Sequence, residues 1–232
     1  MMTSESLPEA VLARRALLPL KPDPITLEGA HVRLIPYDEQ RDAEDLFSVC
    51  NGAAIHIGQR TIPAYDADAL IWRWMFAGPF ESLQAFRDYM KPQVSAPNGL
   101  AYTVVDMPTQ RPIGVANYLN NDPNHLKIEL GSIWYSPIAQ RTAANTEATL
   151  LLLEHAFSLG YRRVEWKCDA QNERSRRAAL RMGFTFEGIQ QAHMIVKGRN
   201  RDTAWYRILD HEWGSVNEHL RGLLASRGQS AS

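Results

Sequence analysis

The arrangement of apolar and polar positions predicts a strand, a turn and a long helix between residues 127 and 160, and the other elements are organised around this unit. The strand covers residues 127–135 and should end before Pro137, because proline cannot donate a hydrogen bond to a sheet ladder. The helix after the turn stays apolar to Phe157, and Gly160 is a residue type that commonly ends helices.

Upstream of this unit, the pattern predicts a strand over residues 31–37 and a helix over about residues 39–51, whose apolar positions recur every three or four residues. Asp38 precedes this helix and is a residue type that caps helix N-termini. Two further strands, at residues 100–106 and 112–119, lie on either side of a turn of hairpin length. A second turn leads into the strand at 127–135, so we expect an antiparallel meander.

Residues 55–92 are rich in aromatic side chains and should contain a helix at residues 81–90. Aromatic residues on helices more often pack in a core than line a binding groove. The alternative is that this section forms a lid over a substrate cavity, since aromatic side chains also line such lids. In that case Trp72 would contact the substrate.

Residues 161–170 have the clearest strand pattern, with Val164 and Cys168 on one face and charged residues on the other. A helix connects this strand to the strand at 127–135, so the two should run parallel. A short helix at residues 173–182 and a final hairpin of residues 184–197 and 202–209 follow.

These elements predict an α+β fold, with a mixed, mostly antiparallel twisted sheet that is flanked by helices. We expect one domain over residues 25–213, a flexible lead-in over residues 1–24, and a tail or short helix over residues 214–232.

The composition is that of an ordinary globular protein, with 45% hydrophobic and 22% charged residues among 232. The net charge of −1 offers no field that would attract nucleic acid or membrane, so neither is expected as a partner. Cys50 and Cys168 are the only cysteines, and their spacing matches no metal motif, which favours a reduced, cytoplasmic protein without a metal. No secretory signal or stretch long enough to cross a bilayer is expected.

The start of the helix after residue 140 is the first candidate site. Its small side chains would leave the first backbone N–H groups uncovered at the positive end of the helix dipole. Gln140 and Arg141 precede it, so the site suits a phosphate or pyrophosphate. Two alternatives stay open, since most strand–turn–helix units bind no ligand and Thr142 could simply cap the helix. The small residues are Thr142, Ala143, Ala144, Asn145 and Thr146.

The order of these motifs resembles the GNAT superfamily of acyl-CoA-dependent N-acetyltransferases. The resemblance rests on the meander, the crossover helix, Asn172-x-x-Ser175, and Gly183–Phe184. Residues 146–148 read Thr-Glu-Ala, as in the RimJ/RimL-type branch, and the likeness covers roughly residues 27–213.

The resemblance implies a coenzyme A site at residues 140–145, which match the family pattern [QR]-x-x-G-x-[GA]. Backbone N–H groups there would hold the pyrophosphate, although Ala143 and Asn145 depart from the pattern. The pantetheine arm would bond to the backbone near Ile133 and Trp134, where the two parallel strands splay apart near Ser136.

Transfer of an acyl group to an amine needs a base, because an ammonium ion must first lose a proton. We choose Glu129, acting through a water, with partial burial expected to raise its pKa. The alternative is an ion pair with Lys127 or with an arginine on a neighbouring strand. His125 and His193 are secondary candidates for the base or for substrate contacts, although such histidines are usually only hydrogen-bonded.

The family resemblance places Ser175 beside the coenzyme thiol and Asn172 on the pantetheine or acyl region. A structural alternative is that both only cap and begin the short helix. The tyrosine that many superfamily members use is replaced by Ala179. Four arginines form a run that is usually a solvated face, but Arg176 or Arg177 would reach the adenosine phosphate.

The sequence therefore predicts an acetyl-CoA-dependent N-acetyltransferase that uses no metal and acts on a protein N-terminus or a small-molecule amine. Transfer would be direct, and a homodimer is implied by the family alone. Two rivals are a non-catalytic acyl-CoA-binding module on the same fold, which the departures at Ala143, Asn145 and Ala179 favour, and transfer of a longer acyl group. The acceptor stays open.

Overall fold

A computed structural model describes the backbone of residues 6–229 and the side chains of residues 6–226. Its strands are β1 (Leu27–Glu28), β2 (Val32–Pro36), β3 (Ile55–Ile57), β4 (Arg60–Ile62), β5 (Leu100–Asp106), β6 (Arg111–Asp122), β7 (Lys127–Tyr135), β8 (Arg163–Asp169), β9 (Thr185–Val196) and β10 (Arg199–Leu209). Its α-helices are α1 (Glu9–Ala13), α2 (Glu39–Ser48), α3 (Leu83–Ser95), α4 (Ala144–Ser158), α5 (Glu173–Arg181) and α6 (Trp213–Gln229).

Eight strands of the described chain form one sheet in the order β1-β2-β5-β6-β7-β8-β10-β9, while β3 and β4 form a separate hairpin. Every neighbouring pair in the large sheet is antiparallel except β7 and β8. The predicted α+β class, the mostly antiparallel sheet and the single parallel pair are therefore confirmed.

The parallel pairing of β7 and β8 is short. It joins Lys127–Leu130 with Arg163–Trp166 and then stops. Beyond this point β7 bulges, because Ser132 and Ile133 together oppose a single residue of β6, and Ser132 has a φ of 47°. The strands thus separate from Gly131 onward, which corrects the expected position near Ser136.

Two other element boundaries differ from the prediction. The strand β6 continues to Asp122, within the turn expected at residues 120–124, and the chain reverses slightly later, in a 3₁₀ turn at Pro123–His125. The Asp122 carboxylate accepts a hydrogen bond from the N–H of His125 and so stabilises the later turn. Helix α3 continues past the predicted end at residue 90 to Ser95, with Pro92 inside it.

Helices cover both faces of the sheet and divide the core into two clusters. One cluster lies around α4 and includes Leu152 and Leu220, the latter from α6. The other lies beneath α2 and α3 and contains Trp72 and Trp134. The second cluster confirms the reading as core residues for Trp72 and Phe86, whereas Trp74 and Phe76 lie outside it.

The two ends of the described chain contact the sheet region. Leu18 is buried, and the side-chain amide of Asn121 donates to the carbonyl oxygens of Pro19 and Leu20 at 2.9 and 2.8 Å. At the other end α6 contributes buried Leu220. The division into a lead-in, a domain and a tail stays a prediction.

Within residues 6–229, every helix falls short of the length and apolar character that a bilayer crossing requires.

Candidate active site

A cavity of about 800 Å³ opens where β7 and β8 separate. Its walls come from the end of β7, the start of α4, the end of β8, one face of α5, and a covering segment formed by residues 69–76. The cavity brings together eight of the predicted site residues: Ile133, Trp134, Gln140, Arg141, Thr142, Asn145, Asn172 and Ser175. The space created by the splayed strands is therefore the candidate site.

The start of α4 exposes backbone donors to this cavity. The residue at the N-cap position is Ala143, whose side chain makes no capping hydrogen bond. Thr142 Oγ1 accepts from the N–H of Ala144 at 3.2 Å, so it caps one donor. Within the described part of the chain, the N–H groups of Asn145 and Thr146 donate to no acceptor. The capping alternative therefore accounts for only one of the first three helical donors.

The departures from the family pattern have different structural consequences. Ala143 has a φ of −70°, so this position does not require the conformational freedom of glycine. The left-handed conformation falls instead on Arg141, with a φ of 64°. Asn145 lines the cavity, and its Oδ1 is buried without a hydrogen-bond partner among the described residues.

Not all the predicted helix-start residues face the large cavity. Ala143 and Ala144 line a separate cavity of about 350 Å³, together with Thr142. The Thr146 side chain is buried, and its Oγ1 accepts from a guanidinium N–H of Arg181 at 3.0 Å. Thr146 therefore does not line the large cavity, which the neighbouring Asn145 does line.

The arginine run on α5 is divided between two environments. Arg174, Arg177 and Arg181 line the cavity. Arg176 instead donates to Tyr206 Oη at 3.2 Å, to the Ala170 carbonyl at 3.2 Å and to Glu173, so its guanidinium is directed away. This placement corrects the assignment of Arg176 to the coenzyme phosphate and leaves Arg177 as the better candidate.

Ser175 and Asn172 make the predicted helix-capping contact and also line the cavity. Asn172 Oδ1 accepts from the N–H of Ser175 at 3.1 Å, and Ser175 Oγ accepts from the indole N–H of Trp166 at 3.1 Å. Cys168 lines the same wall. Burial raises the pKa of its thiol, an effect that a hydrogen bond with Ser175 only partly offsets, so Cys168 is held in its protonated form.

Glu129 lies directly behind the cavity wall and is 2% exposed. Its Oε2 accepts from the Asn120 amide at 2.7 Å and lies 2.9 Å from Lys167 Nζ, while Lys127 pairs with another acid. An ion pair therefore exists, although its partner is a lysine of β8 rather than Lys127 or an arginine. A Cβ added at Gly131 would lie 2.9 Å from Glu129 Oε1, and both Gly131 and Lys167 line the cavity, so the carboxylate lies next to two residues of the wall.

The structure places the three predicted substrate contacts away from the cavity. Trp72 is fully buried; its indole N–H donates to the Cys50 carbonyl at 2.8 Å. The His125 side chain is 73% exposed and precedes β7 at the end remote from the splayed strands. His193 is exposed, and its Nδ1 lies 2.9 Å from Thr203 Oγ1. These positions correct the three assignments.

Residues other than these three line the part of the cavity where the acceptor is expected. Trp74, Met75 and Phe76 line the cavity from the covering segment, while Lys167 and Arg201 line it from the sheet. Lys167 could have been found from the sequence, because its strand lies next to that of Glu129. Arg201 carried no such signal, since the sequence pattern places it in the turn of the last hairpin.

No group of histidine, cysteine, aspartate or glutamate side chains within the described chain could hold a metal ion.

Comparisons with known proteins agree with this geometry. A family model described as an acetyltransferase (GNAT) domain matches residues 31–185. The crystal structure of a GCN5-related N-acetyltransferase from Brucella melitensis shares 36% identity, covers 88% of this chain and 87% of that chain, and has a TM-score of 0.79. A GNAT-family acetyltransferase from Chromobacterium violaceum ATCC 12472 also shares 36% identity, over 84% of this chain and 90% of that chain, with a TM-score of 0.73.

A curated relative matches over a shorter region. It is YdaF of Bacillus subtilis (strain 168), whose name assigns it provisionally to the ribosomal N-acetyltransferases. The two are 31% identical over 101 residues, 43% of this chain and 55% of that protein, so the match spans about half the length of the relative. The predicted family and the predicted acyltransferase class are confirmed. Because the family model matches more than half of its residues, the chain belongs to the GNAT family of acetyltransferases.

Proposed function

We propose that this acetyltransferase transfers the acetyl group of acetyl-CoA directly to a primary amine, with both substrates bound at once. The observation that supports this most strongly is the start of α4, where the N–H groups of Asn145 and Thr146 stay without acceptors from the described chain beside a cavity of about 800 Å³. Uncovered donors at the positive end of a helix dipole suit a diphosphate.

The residues around these donors fit coenzyme A. Arg141, Arg174 and Arg177 line the same cavity and would add positive charge beside phosphate oxygens. The buried Oδ1 of Asn145 would accept a hydrogen bond from a ligand donor. When bound, the coenzyme supplies an acetyl group activated as a thioester.

Glu129 is our proposed general base, acting through a water that reaches it past Gly131. Lys167 and the Asn120 amide fix the carboxylate at 2.9 and 2.7 Å, so its orientation is set before any ligand binds.

Two other groups would complete the chemistry. Beyond Leu130, the edge of β7 that faces β8 has no parallel partner within the described chain. Its N–H groups near Ile133 and Trp134 would therefore bind the pantetheine arm. They would also donate to the thioester carbonyl oxygen, which gains negative charge during transfer. Asn172 would orient the same arm, and the hydroxyl of Ser175 would donate to the departing thiolate.

Finer features remain part of this proposal. The Thr-Glu-Ala sequence at residues 146–148 and the match to YdaF support a RimJ/RimL-type enzyme, for which a protein N-terminus is a candidate acceptor. We also expect that the acyl group is acetyl, that the protein is cytoplasmic and that it forms a homodimer.

The experiment is a calorimetric titration of coenzyme A into the wild type, Asn145→Asp and Asn145→Ala. An aspartate in the first helical turn is favourable for the helix dipole, so the fold should be kept or stabilised. Its charge would repel a diphosphate, and we expect at least ~10-fold weaker binding. Asn145→Ala restores a residue usual in the family pattern and adds no charge, so it should lose only the side-chain hydrogen bond to the ligand and bind a few-fold more weakly than the wild type, well short of the loss in Asn145→Asp.

The same proteins should then be given acetyl-CoA and a panel of amines while free thiol is measured. Release that depends on an amine supports the proposed transfer. Coenzyme affinity that is the same in wild type and Asn145→Asp would contradict the assigned coenzyme site, and tight binding without amine-dependent release would favour a binding module.

A further inference from the structure

Arg201 presents a buried cation to the cavity. Its side chain lies on β10 and is 4% exposed, and it is among the residues that line the cavity wall. The Cζ atom lies 4.7 Å from the centroid of the Phe76 ring, which belongs to the covering segment. The guanidinium is therefore held between the sheet and the cover of the site.

This guanidinium takes part in no ion pair with the described side chains, and its buried Nε has no hydrogen-bond partner there. Nearby acids are engaged elsewhere, since Glu129 contacts Lys167 and the Asp169 carboxylate accepts from the N–H of Gln171. Burial lowers the pKa of Arg201, which reflects the cost of keeping this charge away from water.

Two other arginines that are largely buried have carboxylate partners. The side chains of Arg163 and Arg207 are 25% and 19% exposed, and each has a carboxylate partner, Glu187 and Glu212 respectively. Arg201 is more buried than either and has no such partner among the described side chains. A buried charge without a counter-ion is costly, so its presence in a ligand cavity indicates that the ligand brings the counter-ion.

The charge of the whole cavity wall favours the same ligand class. Seven lysine and arginine residues line it, and none of its described lining residues is aspartate or glutamate: Arg73, Arg141, Lys167, Arg174, Arg177, Arg181 and Arg201. Four of the cations belong to the helix start and α5, beside the proposed phosphate site. Arg201 comes instead from β10, which lies beyond β8 in the sheet order.

We propose that Arg201 binds a carboxylate of the acceptor, so that the acceptor is an amine whose molecule also carries a carboxylate. This rests on the proposed amine acetylation. Guanidinium groups bind carboxylates through paired N–H donors, and contact with Phe76 would keep the Arg201 guanidinium in one orientation. A polyamine would place several positive charges against a wall whose charged residues are all cationic, and it should be a poor acceptor.

The test uses acceptors in matched pairs. Free amino acids are compared with their amides, and C-terminally amidated dipeptides with Asp or Glu at the second position are compared with those containing Asn or Gln. The first pairs test a free amino acid as the source of the carboxylate, and the second pairs test an acidic peptide. Spermidine is the cationic comparison. Thiol release gives kcat/KM for each, with wild type, Arg201→Met, Arg201→Lys and Arg199→Met.

For wild type we expect at least one acid to exceed its amide by ~10-fold or more in kcat/KM. Arg201→Met should reduce this ratio to about one, and Arg201→Lys should keep part of it because the charge remains. Arg199 is exposed on the same strand and outside the cavity, so Arg199→Met should keep the full ratio. Coenzyme affinity should be the same in all four proteins.

Three results would overturn the proposal: amides used as well as acids, spermidine as the best acceptor, or Arg201→Met weakening coenzyme A as much as it weakens acceptor use. If no amine releases thiol, the proposed transfer fails, and Arg201 is judged separately by titrating the same pairs into protein saturated with coenzyme A. Equal affinity for acid and amide would then exclude the carboxylate site.

Discussion

The carboxylate of Glu129 and the ammonium of Lys167 lie 2.9 Å apart and connect the two strands that separate to form the cavity. Glu129 is on β7 one position before the last parallel pair, and Lys167 is on β8 one position after it. The ion pair therefore spans the point where pairing ends. It positions a carboxylate behind Gly131, which lines the cavity.

Replacing Glu129 with glutamine should remove the proposed base while keeping the shape and the Asn120 contact. We expect Glu129→Gln to lower kcat by ~10²-fold or more, because general base catalysis contributes about that factor. Coenzyme affinity should change little, since Glu129 does not line the cavity. Steady-state thiol release and a coenzyme titration measure the two quantities.

Glu165→Gln is the matched control for this variant. Glu165 is directly opposite Glu129 in the parallel pair, is also buried, and contacts Arg163 at 2.7 Å. Its loss should affect stability but not kcat. Equal losses of kcat in the two variants would show that Glu129 has only a structural role.

Replacing Lys167 with methionine should destabilise the fold, because it leaves the buried Glu129 carboxylate with only its Asn120 contact. Breaking such a pair from one side costs ~3 kcal/mol. The double variant with Glu129→Gln should recover much of this loss, because the uncompensated charge is then absent. Denaturant unfolding of the two single variants and the double variant measures the coupling, and additive losses would contradict it.

Glu147 should be important for stability rather than for chemistry. Its carboxylate is buried and accepts from the N–H groups of Ala30, His31 and Val32 at 3.0, 2.6 and 2.7 Å, which ties α4 to β2. An amide turns a donor toward these N–H groups, so Glu147→Gln should cost about 2–3 kcal/mol in unfolding free energy. Glu154→Gln, at a half-exposed site on the same helix, should cost much less. Similar losses in the two would contradict this role.

The ion pair between Arg163 and Glu187 should give a pH-dependent stability. A hydrogen bond from Arg163 lowers the pKa of Glu187 below its ordinary value of 4.5. The stabilisation is therefore complete above pH 4.5 and is lost as the pH falls through the lowered pKa. Because the Glu187 side chain is 36% exposed, the effect should be only ~0.5–1 kcal/mol.

Urea unfolding of wild type and Glu187→Gln at neutral pH and near pH 3 tests this sign. The wild type should be the more stable protein at neutral pH, and the difference should shrink in acid. A difference that is equal at both pH values, or larger in acid, would contradict the assignment.

Local patterns predicted most of the fold. The bounds of β5 and β7 agree with the prediction, and Asp38 and Asn172 cap the helices that follow them. These features depend on residues close in the chain. The extension of β6 could not be predicted, because it passes through an irregularity at Asn120, which has a φ of 49°, and the Asn121 amide beside it donates to the distant carbonyl oxygens of Pro19 and Leu20.

Residues that line the cavity were predicted well near α4 and less well elsewhere. Residues 140–145 and Ser175 lie within local motifs, whereas the covering segment meets the cavity through packing of distant elements. Trp72 was chosen from an aromatic-rich stretch whose buried and cavity-facing rings cannot be distinguished in sequence. Arg201 has no local signal at all, because its lack of a partner is visible only in three dimensions.

A crystal structure of the protein with coenzyme A tests the central claim most directly. We expect diphosphate oxygens within about 3 Å of the backbone nitrogens of Asn145 and Thr146, with the sulfur beside Ser175. A diphosphate bound elsewhere, with these two nitrogens facing only water or protein side chains, would contradict it.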